Sequence, residues 1–289
     1  IGLFLGSWFL AFIHLSLAWI PLLTTLVITA IRSLPDLIKK TDFRPKELKP
    51  ALFVLLGLIA GWLLRPNPLG AFRLAYIQVV ELSFMKHLPL RFGTELKPFV
   101  WKNFVDQLIP ISALATLALV FLLLILLRKK ERLIYNEAVL GSLVLTAVFG
   151  ALTFTMARRA NDFFVGFGVT FAGLALGRLA ASVKKAKFPS LPHFIIFAAT
   201  IALIFAPFKT IYRYKSYLPQ TFKPERFKET AEWLENNTKP GEIVFNVHWD
   251  RFAELFFWNH HNYYINGMDP IFQYSFSPAL YWKTHFLAT

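Results

Sequence analysis

Long apolar segments separated by short polar ones follow one another through the first two thirds of this chain. A helix rises about 1.5 Å per residue, so about 20 apolar residues cross the roughly 30 Å hydrocarbon layer of a membrane. The shorter segments would span it with a thinner bilayer or with flanking side chains that reach the headgroups. The apolar segments are residues 1–13, 16–32, 51–64, 108–127, 133–155, 163–181 and 193–207. The pattern predicts a mainly α, polytopic transmembrane bundle of about seven spans in residues 1–207.

The first apolar stretch, Ile1 to Ile31, is too long for a single span. His14-Leu15-Ser16 interrupts it, and Pro21 follows shortly afterwards. We predict two short helices, 1–13 and 16–32; the alternative is one tilted helix with a kink at the proline. A lone histidine at such a break is more typical of structure than of a binding site.

The polar segment Met156 to Phe163 (MARRANDF) is a very short connection between two long apolar segments. It predicts a helical hairpin whose turn lies at one face of the membrane. The turn carries Arg158, Arg159 and Asp162, and charged groups in such a place are costly and often functional. Guanidinium groups match phosphate oxygens in geometry and charge, so the arginines could bind a phosphate. The alternative is that they only reach the headgroups as anchors.

Residues 69–107 form a long connection of mixed character. Apolar side chains recur in it at helical spacing, with charged and polar ones between them: Phe72, Tyr76, Val79, Val80 and Phe84. This pattern predicts an amphipathic helix that lies in the membrane interface. The alternative is that the segment forms a lid over a lipid-linked substrate.

The loops differ in their content of Lys and Arg. Those rich in basic residues are 32–50, 128–133 and 182–190. The positive-inside rule assigns them to the cytoplasmic side, and alternation of the spans then places 65–107, 157–162 and the tail outside. The sequence therefore predicts a protein of the cytoplasmic (inner) membrane whose C-terminal region is extracytoplasmic.

The tail, residues 208–289, contains no further segment of spanning length. Its pattern changes to helix, strand, helix, strand, and this order is typical of an α/β domain with a parallel sheet. The predicted elements are a helix from Lys223 to Asn236, a strand from Ile243 to Val247, a helix from Arg251 to Trp258 and a strand from Tyr263 to Ile265.

Polar residues follow both predicted strands of the tail. His248, Trp249, Asp250 and Arg251 come after the first strand, and Asp269 comes after the second. Ligands of open α/β sheets bind at the carboxyl ends of the strands, so these five residues are candidates for substrate binding. The simpler interpretation is that the first aspartate caps a helix and the second forms a turn before a proline.

The composition limits the classes of function. The chain is 56% hydrophobic, whereas soluble domains contain about 45–50% apolar residues. The net charge of +14 could suit nucleic acid, but the basic residues flank apolar segments, so we predict a lipid bilayer as partner and no nucleic acid.

The chain has no cysteine, and His260-His261 lacks the spacing of a helical metal pair, so we predict no metal site. The glycosylation sequon Asn236-Asn237-Thr238 is a motif that often occurs by chance.

The basic-flanked bundle, the short outward loops and the C-terminal α/β region resemble the C-terminal part of the GT-C glycosyltransferases. The segment Ala231 to Thr238 (AEWLENNT), followed by a strand and Trp249-Asp250, is similar to the region where the oligosaccharyltransferase catalytic subunit passes into its soluble domain. That family binds its acceptor with a Trp-Trp-Asp-Tyr-Gly motif. Only the Trp-Asp core matches here, since His248, Arg251 and Phe252 take the other places.

The resemblance implies an enzyme that moves a sugar from a polyprenyl-phosphate-linked donor to a glycan, lipid or protein acceptor. It also implies that the catalytic aspartates, and any divalent cation bound by them, lie in an earlier outward loop. We therefore expect this chain to be the C-terminal part of a longer protein, and we assign no general base in it. Arg158 and Arg159 would hold the donor phosphate.

Two other classes of function stay open. A transporter or flippase would favour charges inside the spans, of which the sequence offers Glu137 and Arg178. A non-catalytic membrane assembly subunit would need no such charges.

Overall fold

The computed structural model describes most of the chain in two compact units. The described residues are 1–38, 45–84, 90, 93–100, 136–183, 208, 211–212, 214–218, 223, 225–267 and 269–288. The first unit comprises residues 1–79 and 95–206, and the second comprises 80–94 and 207–289. Two of the predicted spans, 108–127 and 193–207, lie outside the described residues.

The described part of the first unit is mainly helical. Its helices are α1 (Gly2–Ile13), α2 (Trp19–Ile38), α3 (Lys49–Leu63), α4 (Pro68–Tyr76), α5 (Glu137–Thr155) and α6 (Asn161–Val183). Short 3₁₀ turns join several of them, at Leu15–Leu17, Pro45–Leu48 and Arg158–Ala160.

Three helical stretches of the described residues are long and apolar enough to cross a membrane. They are Leu15–Leu34, Glu137–Thr155 and Arg158–Arg178. A fourth span results if α3 and the helical stretch Pro68–Phe84, which are bent by 117° relative to each other, are counted as one. The mainly helical, membrane-type architecture is thus supported, but the described residues contain three or four candidate spans rather than about seven.

The first apolar stretch forms two helices, as predicted, and not one kinked helix. α1 ends before His14, whose Nδ1 lies 2.9 Å from the Ser16 hydroxyl in the connecting turn. Pro21 falls in the first turn of α2. A proline is tolerated there because the first N–H groups of a helix have no partner within it.

Helices α1 and α3 run in the same direction and touch along their backbones. A Cβ atom added to Gly57 would lie 2.4 Å from the carbonyl oxygen of Phe4, and one added to Gly61 would lie 2.1 Å from that of Trp8. Ala11, which is fully buried, also packs against Gly61. Two glycines four residues apart permit this approach, as in membrane helix pairs generally. The sequence shows the two glycines at this spacing, but not which helix packs against them.

Helices α2, α5 and α6 form an antiparallel group with an aromatic core. At one end of α2, Trp19 stacks on Phe149, with ring centroids 5.7 Å apart. At the other end, the Nη2 atom of Arg32 lies 2.5 Å from the Oε2 atom of Glu137. After the turn at residues 158–160, α6 returns along α5, and Phe167 stacks on Phe149 at 5.4 Å.

The helix ends agree with one part of the predicted topology. The hydroxyl of Ser33 in α2 donates to the carboxylate of Glu47, just before α3, at 2.6 Å. Together with the pair of Arg32 and Glu137, this contact places the start of the 32–50 loop and the start of α5 at one end of the bundle. The Arg158–Ala160 turn lies at the opposite end. Which membrane face each end occupies stays a prediction.

The second unit contains a very small sheet, and along the chain helices precede, separate and follow its two strands. Its elements are α7 (Lys228–Asn237), β1 (Ile243–Val244), α8 (Phe252–Trp258), β2 (Tyr263–Tyr264), α9 (Pro270–Phe276) and α10 (Pro278–Ala288). The strands are parallel, with Ile243 paired with Tyr263. The order and the parallel pairing agree with the prediction, but each strand has only two residues, so a complete α/β domain is not confirmed.

The strands are short because asparagine side chains replace the backbone ladder where it would continue. The backbone N–H of Asn266 donates to the Oδ1 atom of Asn246 at 2.9 Å, and the Nδ2 atom of Asn246 donates to the backbone carbonyl of Asn266 at 2.7 Å. The Nδ2 atom of Asn266 donates in turn to the Asn246 carbonyl at 2.6 Å. Side-chain amides can mimic backbone pairing in this way.

Candidate functional site

The predicted hairpin turn is present between α5 and α6. The backbone N–H groups of Met156 and Ala157 both donate to the carbonyl of Leu152, at 2.9 Å each, and so end α5. The 3₁₀ turn that follows contains Arg158 and Arg159. Asp162 lies in the first turn of α6, where a negative charge is favourable because it faces the positive end of the helix dipole.

A separate chain segment covers this turn within the first unit. The N–H of Arg158 donates to the carbonyl of Lys97 at 2.8 Å, and the N–H of Phe99 donates to the carbonyl of Thr153 at 2.9 Å. The guanidinium carbon of Arg158 also lies 5.0 Å from the centroid of the Phe99 ring. This is a cation–π contact. The sequence gives no signal for it, because the two segments are more than fifty residues apart.

The two arginines therefore have different surroundings. Arg158 is half-buried and held against the ring of Phe99, which is itself only 5% exposed. Arg159 and Asp162 are exposed. In the part of the chain that the structure describes, neither of them has an ion-pair partner within 4 Å. Arg159 is thus the guanidinium of the turn that an incoming ligand can reach directly.

Three basic side chains lie at this end of the first unit, together with the acidic side chains of Glu95 and Asp162. Lys97 is exposed on the covering segment, and both arginines lie in the turn that leads into α6. α6 has 23 residues, and its N-terminal backbone N–H groups carry a partial positive charge. Helix N-termini with basic side chains are favourable surroundings for an anion such as a phosphate.

The candidates that follow β1 form a turn of their own in the second unit. Trp249, Asp250 and Arg251 make a 3₁₀ turn, with His248 immediately before it. Arg251 pairs with Asp250 at 3.8 Å and with Glu254 at 3.5 Å. The hypothesis that Asp250 caps the next helix is wrong, because α8 begins at Phe252 without a side-chain cap and the Asp250 carboxylate is turned towards Arg251.

Asp269 stands before the first residue of α9, as expected of a turn former. Its side chain makes no capping hydrogen bond, and its backbone carbonyl accepts from the N–H of Phe272 at 2.9 Å. The segments after the two strands do start side by side, because Asn246 bonds to both the His248 and the Asn266 carbonyl groups. The first residues after the two strands are therefore adjacent, and a common site of residues 248–251 and Asp269 stays a prediction.

The two adjacent histidines have structural partners. The Nε2 atom of His261 lies 2.9 Å from the carbonyl oxygen of Thr238, and the ring of His260 packs edge-on against Phe256 at 4.8 Å. Nearby, Tyr264 of β2 donates its hydroxyl to the Asn259 carbonyl at 3.2 Å, and burial raises the pKa of that hydroxyl. Among the described residues, no three or more His, Asp or Glu side chains are grouped closely enough to hold a metal ion.

The eight predicted site residues thus fall into two groups, one in each unit. Arg158, Arg159 and Asp162 share the hairpin turn, and the other five belong to the segments that follow the two strands. Comparisons with protein-family models, with characterised proteins and with solved structures find no match to this chain.

Proposed function

We propose that this chain belongs to an integral membrane glycosyltransferase of the GT-C type. The enzyme moves a sugar from a polyprenyl-phosphate-linked donor to a glycan, lipid or protein acceptor at the outer face of the cytoplasmic membrane. The observation that carries the proposal is the exposed Arg159 in a tight turn between two helices of spanning length. Such a turn lies at the depth of the lipid headgroups, which is also the depth of the phosphate of a lipid-linked donor.

The chemistry of the transfer requires positive charge at this depth. When the bond between the sugar and the donor phosphate breaks, the electron pair of that bond stays on the leaving phosphate. A guanidinium group and the N-terminus of α6 would stabilise the charge that develops there. Arg159 is the residue that we assign to this contact, and Arg158, fixed over Phe99, holds the turn in place.

The orientation is part of the same proposal. The end of the bundle that carries the basic 32–50 loop is the cytoplasmic end by the positive-inside rule. The turn at Arg158–Ala160 is at the other end and therefore faces outward. We further propose about seven spans in all and an outward α/β domain in the tail, where residues 248–251 and Asp269 would contact the acceptor.

The contact of Glu137 disfavours the transporter or flippase alternative. Glu137 is one of the two charges that could serve transport from inside a span, but it pairs with Arg32 near the end of α2 and at the start of α5. The pair therefore fastens two helices at an end of the bundle. A non-catalytic assembly subunit stays the alternative, and a turnover experiment on the purified protein separates it from the enzyme.

The test uses the full-length protein in liposomes with a radiolabelled polyprenyl-phosphate sugar. We expect Arg159→Ala to lower the rate of sugar release by on the order of 10²-fold, as for the loss of one charge-stabilising donor. Arg178→Ala is the matched control, because Arg178 is also exposed and lies towards the end of α6 that is far from the hairpin turn. Equal rates in the two variants would remove the turn from the site, and the absence of turnover in the unaltered protein would favour the assembly subunit.

A further inference from the structure

Helix α3 is shorter than the hydrocarbon layer is thick. It has 15 residues, which give a length of about 22 Å against roughly 30 Å of hydrocarbon. The chain does not continue in the same direction after Leu63. It turns through residues 64–67, and the helical stretch that begins at Pro68 is bent by 117° from α3.

Three side chains, one from α3 and two from the turn after it, fix this corner. The indole Nε1 of Trp62 donates to the carbonyl of Pro68 at 2.7 Å. The Oδ1 atom of Asn67 accepts the N–H of Gly70 at 2.9 Å and so caps α4. The Nη1 atom of Arg65 donates to the carbonyl of Ala11 at the end of α1 at 2.9 Å. The angle between α3 and α4 is therefore built into the fold.

Helix α4 presents an apolar stripe that the first unit leaves largely exposed, although the ring of Phe72 contacts that of Trp62, with centroids 5.6 Å apart. Leu69, Phe72 and Tyr76, at spacing i, i+3 and i+7, are 78%, 56% and 46% exposed. Arg73 is exposed beside them. The half-buried residues of α4 include Ala75, and the helix packs against the Leu15–Leu17 turn.

The uncovered surface is continuous with that of α3. The last turn of α3 and the start of the corner expose Leu63 and Leu64, at 57% and 63%. Further back, α3 exposes Leu52 and Leu56 on the side away from α1, and Phe53 is exposed as well. In a helix of this composition such a surface suits acyl chains, and the stripe of α4 extends it around the corner.

We propose that α4 lies in the plane of the membrane at headgroup depth. Leu69, Phe72 and Tyr76 enter the outer part of the acyl-chain region, and Arg73 extends towards lipid phosphate groups. The occupant of the stripe is the bilayer because the stripe continues the lipid-facing surface of α3, and because Tyr and Arg are residues of membrane interfaces. The inference does not depend on sugar transfer.

This arrangement also gives a depth reference for the candidate site. The Leu15–Leu17 turn against which α4 packs precedes Trp19, and Trp19 stacks on Phe149 in the half of α5 that leads to the hairpin turn. Helix α4 and the Arg158–Ala160 turn are thus at the same end of the first unit. An in-plane α4 would keep that end at the level of the headgroups.

The chain has no cysteine, so within it each introduced cysteine is the only one that takes the label, and any cysteine elsewhere in the full-length protein is replaced by serine first. Single cysteines replace Leu69, Phe72 or Tyr76, and the full-length protein is spin-labelled in phosphatidylcholine–phosphatidylglycerol liposomes. Collision rates with oxygen and with a water-soluble nickel chelate give the depth of each label. Val144→Cys, on an exposed position in the middle of α5, is the reference for a deep label, and Leu74→Cys reports the other side of α4.

We expect the labels at 69, 72 and 76 to lie at one shallow depth, closer to the membrane surface than the label at 144. They should also collide less often with the nickel chelate than the label at 74 does. A depth that changes by about 10 Å from residue 69 to residue 76 would mean that α4 crosses the membrane and would overturn the proposal. High nickel accessibility at all three would show a surface in water. Low accessibility to both reagents would show that a second copy or another protein covers the stripe. Either result would also overturn it.

Discussion

The guanidinium of Arg158 lies over the ring of Phe99, 5.0 Å from its centroid, although the two residues belong to segments far apart in the chain. Two backbone hydrogen bonds accompany this contact, so residues 97–99 and the hairpin turn form one structural piece. The consequence is a division of roles between neighbouring arginines, in which Arg158 positions the turn and Arg159 stays accessible.

The contact of Arg158 with Phe99 can be measured by a double-mutant cycle. Arg158→Gln and Phe99→Leu each remove the cation–π interaction while keeping most of the side-chain volume. We expect a coupling free energy of about 0.5–2 kcal/mol from thermal unfolding in detergent, with the larger value if the pair is shielded from water. Phe154→Leu serves as the control partner, since the Phe154 ring packs on Phe99. Strictly additive effects of the first two changes would show that the ring and the guanidinium do not interact.

The close approach of α1 and α3 predicts that the two glycines of α3 cannot be replaced. A methyl group at Gly61 would meet the backbone carbonyl of Trp8 at 2.1 Å, and backbone cannot rotate away as a side chain can. We expect Gly61→Ala and Gly57→Ala to force the helices apart and to lower the thermal stability of the protein in detergent. Gly6→Ala on α1 is the matched control, because nothing lies within 4 Å of its added Cβ. That variant should gain up to about 1 kcal/mol from the better helix propensity of alanine, and equal behaviour of all three variants would contradict the packing.

The asparagine pair that continues the small sheet should stabilise the second unit. Asn246 is 6% exposed, and its side chain bonds both the N–H and the carbonyl of Asn266. Asn246→Ala would leave these backbone groups without their partners at a cost of about 1–3 kcal/mol. Hydrogen exchange should show faster exchange of the Asn266 amide in that variant. Asn237→Ala, at an exposed position, is the control variant. Unchanged protection of the Asn266 amide in Asn246→Ala would mean that water can replace the Asn246 side chain.

The sequence predicts the helices, strands and turns better than it predicts the contacts between them. The break at His14 and the end of the apolar segment 51–64 follow from the local sequence, and both are helix boundaries in the structure. The hairpin turn followed from the length of the apolar segments on either side. The Arg158–Phe99 contact could not be predicted, because it depends on how distant segments meet. Strand lengths were overestimated because the apolar pattern of Ile243 to Val247 does not reveal that an asparagine side chain ends the ladder.

The ion pair between Arg32 and Glu137 predicts that exchanging the two charges is tolerated better than losing either one. The Nε and Nη2 atoms of Arg32 both donate to one carboxylate oxygen of Glu137, at 2.8 and 2.5 Å, and this joins the end of α2 to the start of α5. The side chains are 44% and 36% exposed, so we expect Arg32→Leu or Glu137→Leu to lower the free energy of unfolding by no more than about 1 kcal/mol each. The double variant Arg32→Glu with Glu137→Arg should recover part of that loss, because the opposite charges still face each other, whereas Arg32→Glu alone places two carboxylates together. Thermal unfolding at low and high salt is the measurement. If the exchanged pair is as unstable as Arg32→Glu alone at low salt, the two helices are held together by apolar packing and the charges contribute nothing.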